Sequence, residues 1–325
     1  MYVVTFAYGQ AMRLEVNLQT ISGPTPMKNT LLYAATVLVW GFSWYAIELQ
    51  VGVVPPEVSV AYRFGLASLI QFGWCLASGT SIKLGLRDHI NCVFLGAMIF
   101  GFNLLLIYYA TAELPSGLVS VVFSLITVIN IINGRLFLGR TTSRGVWVTA
   151  GIGVVGIVLV FSEDVGAMNA SAGAVLGVGL AFAGAYLASA GNIFAIKIQE
   201  RGLSVLVSNA WGMGYGALIV AAFAVVKGAP FIFLWTPEYM GGLAYLVVFG
   251  SIAGFGFYIT LIRRIGPERA GYTAVMFPAV ALVVSVWLEG LALTPVMGIG
   301  AALILLGNII ILAPAGTWRR IFARV

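Results

Sequence analysis

Apolar residues occupy this chain in long runs, and polar residues gather in short stretches between them. Ten runs can be marked off: 29–49, 57–78, 91–111, 115–134, 145–161, 172–197, 204–226, 240–262, 269–288 and 295–313. Each is close to the ~20 apolar residues that a helix needs to cross a hydrocarbon core. A lone segment can satisfy its own N–H and C=O groups in that core only as a helix. The pattern therefore predicts an all-α integral membrane protein of ten transmembrane helices. Pro or Gly marks several connections, at Pro55-Pro56, Pro115, Gly166, Gly202, Pro237, Pro267 and Pro295. The opening stretch has neither a basic start nor a sustained apolar core, so it makes a poor signal peptide. Gly23, Pro24 and Pro26 break any helix there, and residues 1–27 read as a mobile tail.

Composition agrees, at 61% hydrophobic, 9% charged and a mean hydropathy of +1.02. The net charge of +6 matters less than where the charges lie. With the N-terminus placed in the cytoplasm, all but Arg63 and Lys227 of the 17 basic residues fall on the inner side. Such a bias fixes both termini inside and requires an even number of spans. Residues 316–325 become a basic cytoplasmic tail. Cys75 and Cys92 flank a loop placed on that inner side, where reduced thiols are expected rather than a disulfide. The basic residues follow the bilayer face and form no run interleaved with aromatics, so nucleic-acid binding is not expected.

The second half echoes the first at an offset of roughly 150 residues. SGLVSVVFSLITVINIINGRLFLGR (Ser116–Arg140) aligns with PERAGYTAVMFPAVALVVSVWLEG (Pro267–Gly290), and each precedes a Gly-rich span. Five spans per unit is an odd number, so tandem copies must cross the membrane in opposite directions. The expected division is a first five-helix repeat over 28–165 and a second over 166–315. Inverted repeats of this kind recur in transporters, with the substrate site near the midplane.

At this point the residues resemble a known family. WGFSWY in span 1, Arg63 in span 2 and the Pro278…Leu288-Glu289 pairing in span 9 resemble the EamA-type transporters of the drug/metabolite transporter superfamily. The resemblance covers about 28–315. With IYYATAELPSGLVSVVFSLITV (Ile107–Val128), the pattern is most similar to the YddG-type exporters of aromatic amino acids. It departs at Thr127, where the family often carries Pro. The resemblance implies a multi-pass protein of the bacterial inner membrane that exports small solutes and uses no cofactor.

Candidate cavity residues follow from polar groups deep in the spans. Trp40 and Trp44 are four apart, hence on one helix face. An indole N–H at mid-depth favours a protein or water neighbour over lipid. Ser120, Ser124 and Thr127 form a hydroxyl stripe in span 4, which Asn130 and Asn133 continue. Such hydroxyls can equally bond their own helix carbonyls. Span 3 offers Asn103 and Tyr108, which do not share a face. Span 6 offers Tyr186, Ser189 and Asn192, span 8 Tyr258, and span 9 Met276 with a kink at Pro278. Arg63 is expected to snorkel to the outer surface; the alternative is a pairing with helix carbonyls, Glu48, Glu113 or a substrate carboxylate.

No Asp, Glu, His or Lys lies in the middle of any span. That argues against proton coupling through an intramembrane carboxylate and for facilitated export. An uncharged cavity of aromatic, hydroxyl and amide groups suits a small net-neutral solute; the resemblance selects neutral amino acids such as Phe, Trp, Tyr, Met or Thr. Export of another metabolite or drug is the alternative, and a nucleotide-sugar carrier would call for more inward-facing cations. A membrane enzyme would need catalytic His, Cys or clustered carboxylates, and His89 lies in a loop. Neither a cofactor nor a metal is expected, and membrane lipid is the surrounding partner. Gly-rich spans 5 and 10 read as packing scaffold or as a dimer surface, leaving monomer and homodimer both open.

Overall fold

The computed structural model describes residues 26–139, 144–162, 172–265, 270 and 272–312. The tail up to residue 25, the basic tail 316–325 and the connections at Gly166 and Pro267 lie outside them. Among the described residues every regular element is helical, in ten consecutive rods. They are α1 (Pro26–Glu48), α2 (Pro56–Ala77), α3 (Leu86–Thr111), α4 (Ser116–Phe123 continuing as Ile126–Leu138) and α5 (Arg144–Val160). Then come α6 (Ala172–Glu200), α7 (Val205–Lys227), α8 (Pro237–Tyr245, Leu246–Ala253 and Gly254–Ile265), α9 (Thr273–Leu288) and α10 (Pro295–Leu312). Seven, α1–α4 and α6–α8, are long and apolar enough to cross a membrane; the apolar stretches in α5, α9 and α10 are shorter.

Local chemistry explains several boundaries. Pro56 and Pro237 open α2 and α8 at the position where a helix tolerates a missing N–H, each followed by a glutamate that suits the positive end of the helix dipole. Gly139 and Gly228 close α4 and α7 in the left-handed conformation that glycine adopts without steric cost. Helix α3 begins at Leu86, five residues before the apolar run, because its first turns are polar. Asp88 pairs with Arg201, and His89 Nδ1 lies 2.9 Å from the Tyr215 hydroxyl. The Asp88 carboxylate holds the Arg201 guanidinium above its ordinary pKa.

Helix α2 packs on α7, α5 on α10, α1 on α9, and α4 on α6. Glycines set the closest approaches. A Cβ on Gly156 would stand 2.7 Å from the Gly300 carbonyl, and one on Gly300 2.6 Å from that of Gly156. Gly96 of α3 sits against the Gly212 and Gly216 backbone of α7 in the same way. Gly156 and Gly300 are thus used inside the bundle, whereas Gly151 and Gly298 face open space. Two rods carry a π-helical segment, Gly96–Phe102 in α3 and Leu246–Ala253 in α8. Such wider turns occur at functional sites, and both border the cavity described next. Cys75 and Cys92 are free and buried.

Candidate functional site

Helix α1 places Trp40 and Trp44 one turn apart on the face turned toward α8 and α9. Small neighbours make room for them. Gly41 lies against Val280 of α9, where a Cβ would stand 2.5 Å from a methyl group, and a Cβ on Gly254 would stand 2.6 Å from Trp40 Nε1. The indoles join a ring cluster drawn from four rods. Trp40 meets Tyr258, Phe255 and Phe277 at centroid separations of 5.1, 5.7 and 6.3 Å. Trp44 stacks on Phe277 at 6.1 Å and touches Phe123 at 5.5 Å. These separations suit edge and offset-stacked contacts.

The cluster walls a cavity of about 310 Å³ midway along the rods, with contributions from α1, α2, α3, α4, α6, α8 and α9. Its polar lining includes three amides, Asn103, Asn130 and Asn192. Asn192 of α6 donates to Asn130 Oδ1 of α4 at 3.1 Å, and one turn further Asn133 donates to the Ser189 hydroxyl at 3.0 Å. Asn103 donates to the Ile99 carbonyl at 3.1 Å, leaving its own Oδ1 buried without a partner. Ser43 donates to the Val39 carbonyl at 2.7 Å. Among the described residues no three His, Cys, Asp or Glu side chains come together in a way that could hold a metal.

Of the residues proposed from sequence, Trp40, Trp44, Arg63, Asn103, Thr127, Asn192 and Tyr258 stand on this wall, as does Asn130, which continues the span 4 stripe. The others do not. Helix α4 tightens at Ser124-Leu125, where Leu125 N–H bonds the Val122 carbonyl at 3.1 Å and Thr127 N–H the Ser124 carbonyl at 3.2 Å. The predicted hydroxyl stripe is therefore broken. Ser120 and Ser124 donate to the Gly117 and Val121 carbonyls, and Asn308 of α10 donates to Ser124 Oγ at 3.1 Å. Ser189 is taken up by Asn133. Tyr186 and Met276 are each 44% exposed on the outside of the bundle. Pro278 is buried next to the wall residue Phe277. Tyr108 is fully buried behind the wall, with its hydroxyl facing Arg63 but outside hydrogen-bonding geometry.

Arg63 corrects two expectations. It does not snorkel outward: it is 6% exposed and turned into the bundle, with Nε donating to Ser251 Oγ of α8 at 3.3 Å. The cavity is accordingly not uncharged. Neither Glu48 nor Glu113 pairs with it; Glu113 is exposed. At the Glu48 end of the bundle a separate network joins α2, α3 and α7. Lys227 contacts Glu57 at 3.0 Å and the Tyr109 hydroxyl at 2.8 Å, and that hydroxyl donates to Glu57 at 2.7 Å. At the same end Glu289 accepts from the Ser116 backbone N–H at 2.8 Å, from the Ser116 hydroxyl, and from Ser285 at 2.9 Å.

Sequence reasoning missed Ser43, Phe123, Phe255 and Phe277. Ser43 could have been found, since it lies three residues from Trp40 and so on the same helical face. The phenylalanines carried no such mark, because nothing separates a cavity Phe from a lipid-facing one in sequence.

The family model of the EamA-like transporters matches residues 27–162 and, a second time, residues 174–313. The chain is 26% identical over 281 residues to the "Uncharacterized inner membrane transporter YedA" of Escherichia coli K12, covering 85% of this chain and 88% of that one. It is 26% identical over 289 residues to the "Probable amino-acid metabolite efflux pump" of the same organism, covering 86% and 93%. With "Protein PecM" of Dickeya dadantii it shares 28% over 222 residues, covering 66% and 72%. A solved crystal structure superposes with a TM-score of 0.62 at 18% identity, covering 87% of this chain and 96% of that chain. That likeness concerns the fold alone.

Proposed function

The chain belongs to the EamA-like transporter family, and from that premise we propose that it exports small net-neutral solutes, foremost aromatic and other neutral amino acids (Phe, Trp, Tyr, Met, Thr), by alternating access. It is a multi-pass transporter of the inner membrane. The observation that carries the proposal is the cavity of about 310 Å³ at mid-depth, faced by stacked rings and by amides. Rings accept an aromatic or thioether side chain, and amides address polar ends. The name of the E. coli efflux relative points to the same class of solute. Among these exporters we place the chain with the YddG type, on the Ile107–Val128 segment.

The proposed mechanism takes all ten rods as spans, arranged as two inverted five-helix repeats with both termini cytoplasmic. Its support is a correspondence between wall residues. Ile99 and Gly250, Leu104 and Phe255, Ile107 and Tyr258, Phe123 and Ala274, and Ile126 and Phe277 are each 151 residues apart. Trp40 and Ala188, and Trp44 and Asn192, are 148 apart. Reciprocal packing of Gly156 on Gly300 and of α2 on α7 is what a twofold exchange of halves would produce. Rocking of one half against the other would then open the same wall to each side in turn. Among the described residues no carboxylate lines the cavity, which supports facilitated export without proton coupling.

The test is counterflow of radiolabelled L-phenylalanine, L-tryptophan, L-methionine and L-threonine into proteoliposomes. Saturable counterflow that persists with the proton gradient collapsed is the expected result, with Trp40→Ala lowering it at least tenfold. Strict dependence on the gradient would overturn the facilitated mechanism, and absence of counterflow for all four the substrate class.

A further inference from the structure

The cavity carries one formal charge that the protein does not neutralise. Among the described residues no carboxylate lies within salt-bridging distance of Arg63; the two ion pairs found join Asp88 to Arg201 and Glu57 to Lys227. A neutral hydroxyl, Ser251 Oγ, meets Nε, and Nη1 has no hydrogen-bond partner. Burying a charge without a counter-charge is strongly unfavourable. Such an arrangement is retained where something else supplies the opposite charge.

One further feature is shaped for that partner. Gly250 leaves the guanidinium uncovered on one side, since a Cβ there would already stand 3.5 Å from Nη2. The Tyr108 hydroxyl faces the same guanidinium from behind the wall, and being neutral it supplies no counter-charge. The charge also breaks the correspondence between the halves. Helix α7, which packs on α2, puts no residue on the wall, and Lys227 at its last position is its one charged residue. A residue needed only for packing would have no reason to be charged in one copy alone.

We propose that Arg63 receives a carboxylate of the transported solute, so that this transporter selects solutes bearing one carboxylate beside an apolar, preferably aromatic, body. The proposal rests on the reading of this cavity as the transport site and narrows it. A guanidinium matches a carboxylate through two parallel N–H···O bonds, and the two charges cancel inside the bundle. One cation suits one anionic group, whereas a diphosphate would leave charge unpaired. For a zwitterionic amino acid, the unpartnered Oδ1 of Asn103 and the ring faces are what remains for the ammonium.

The experiment is calorimetric titration of the purified protein in nanodiscs with three ligands of nearly equal size: 3-phenylpropionate, 3-phenylpropanamide and phenethylamine. The acid is expected to bind at least tenfold more tightly than the amide, a difference of about 1.4 kcal/mol, with the amine weakest. Arg63→Gln is expected to level acid and amide, and Arg63→Lys to restore part of the preference. Equal binding of acid and amide by the unaltered protein overturns the proposal, as does absence of saturable binding by the acid. Retention of the preference in Arg63→Gln does so too. Sodium chloride titrated alone should give no saturable heat; if it does, the site is one for small inorganic anions and the proposal fails. Should Arg63→Gln not fold, the three ligands on the unaltered protein still decide. If L-phenylalanine counterflow runs but acid and amide bind alike, the carboxylate assignment fails and transport stands. If counterflow fails but acid and amide are discriminated, the reverse holds.

Discussion

On the proposed repeat, the two halves of the bundle offer the cavity matching positions but not matching side chains. Trp40 stands where the second half has Ala188, Phe123 where it has Ala274, and Tyr258 and Phe255 where the first half has Ile107 and Leu104. Bulk in one half tends to meet a small or flexible group in the other. Two copies of Trp40 would fill the space between the halves, and two copies of Ala188 would leave no ring to stack on. Backbone correspondence can therefore persist while the side chains diverge in a compensating way. The largest divergence is Arg63 of α2, to which α7 offers no wall residue at all; it gives the cavity a charged side and so a direction for the solute.

The comparison can be broken most severely by giving the second half the first half's residue. Ala188→Trp places an indole in a cavity of about 310 Å³ already walled by Trp40 and Trp44. We expect counterflow to fall by two orders of magnitude or more. Ala188 is buried at 4% exposure, so some loss of stability should accompany it, about 1–3 kcal/mol if the ring points into the cavity. Thermal unfolding in detergent measures that part, and a normal melting curve with no flux identifies a blocked cavity. Near-normal flux would mean that Ala188 does not border the path.

A middle-sized effect sharpens the comparison at a place where the halves are alike. Gly156 and Gly300 face one another so closely that a methyl on Gly300 meets backbone, the Gly156 carbonyl at 2.6 Å and the Val160 nitrogen at 2.7 Å. Backbone cannot rotate aside as a side chain can. Gly300→Ala should cost about 1–3 kcal/mol by overpacking, seen as a lower melting temperature. Two residues earlier, a methyl on Gly298 meets nothing within 4 Å. Gly298→Ala should be neutral or slightly stabilising, by up to about 1 kcal/mol of helix propensity. Equal effects at the two sites would contradict the reciprocal crossing.

The rods were legible in sequence because hydrophobic runs of membrane length and Pro or Gly punctuation are one-dimensional signals. The start of α3 was not, since its polar first turn carries Asp88 and His89 and is held by contacts with Arg201 and Tyr215 more than a hundred residues away. Deep tryptophans and asparagines pointed to the cavity because an indole N–H or amide in lipid is costly. Serine stripes misled because a hydroxyl can turn back on its own helix, as Ser120 and Ser124 do. The break at Ser124-Leu125 has no proline to announce it. Arg63 was misplaced because sequence gives its depth but not the direction it faces, and a long side chain can reach either outward or inward. The π-helical segments of α3 and α8 left no readable trace, since a wider turn depends on the tertiary contacts made by Gly96 and Gly250.

The smallest expected effect is also the sharpest check on which face of each rod belongs to the wall. Tyr186 lies two residues before Ala188, and Met276 one before Phe277, yet each is 44% exposed and turned away from the cavity. On a helix two residues correspond to about 200° of rotation and one to about 100°, which moves a side chain from the wall to the outside. Tyr186→Ala and Met276→Ala should therefore leave counterflow within about twofold and the melting temperature nearly unchanged, surface substitutions usually costing about 0.5 kcal/mol or less. Under the same conditions Phe277→Ala, one residue from Met276, should lower flux severalfold, because it removes the ring that touches both Trp40 and Trp44. A large loss at Tyr186 or Met276 would mean that α6 or α9 turns about its axis during transport and presents a second face, so the halves would differ in motion as well as in side chains.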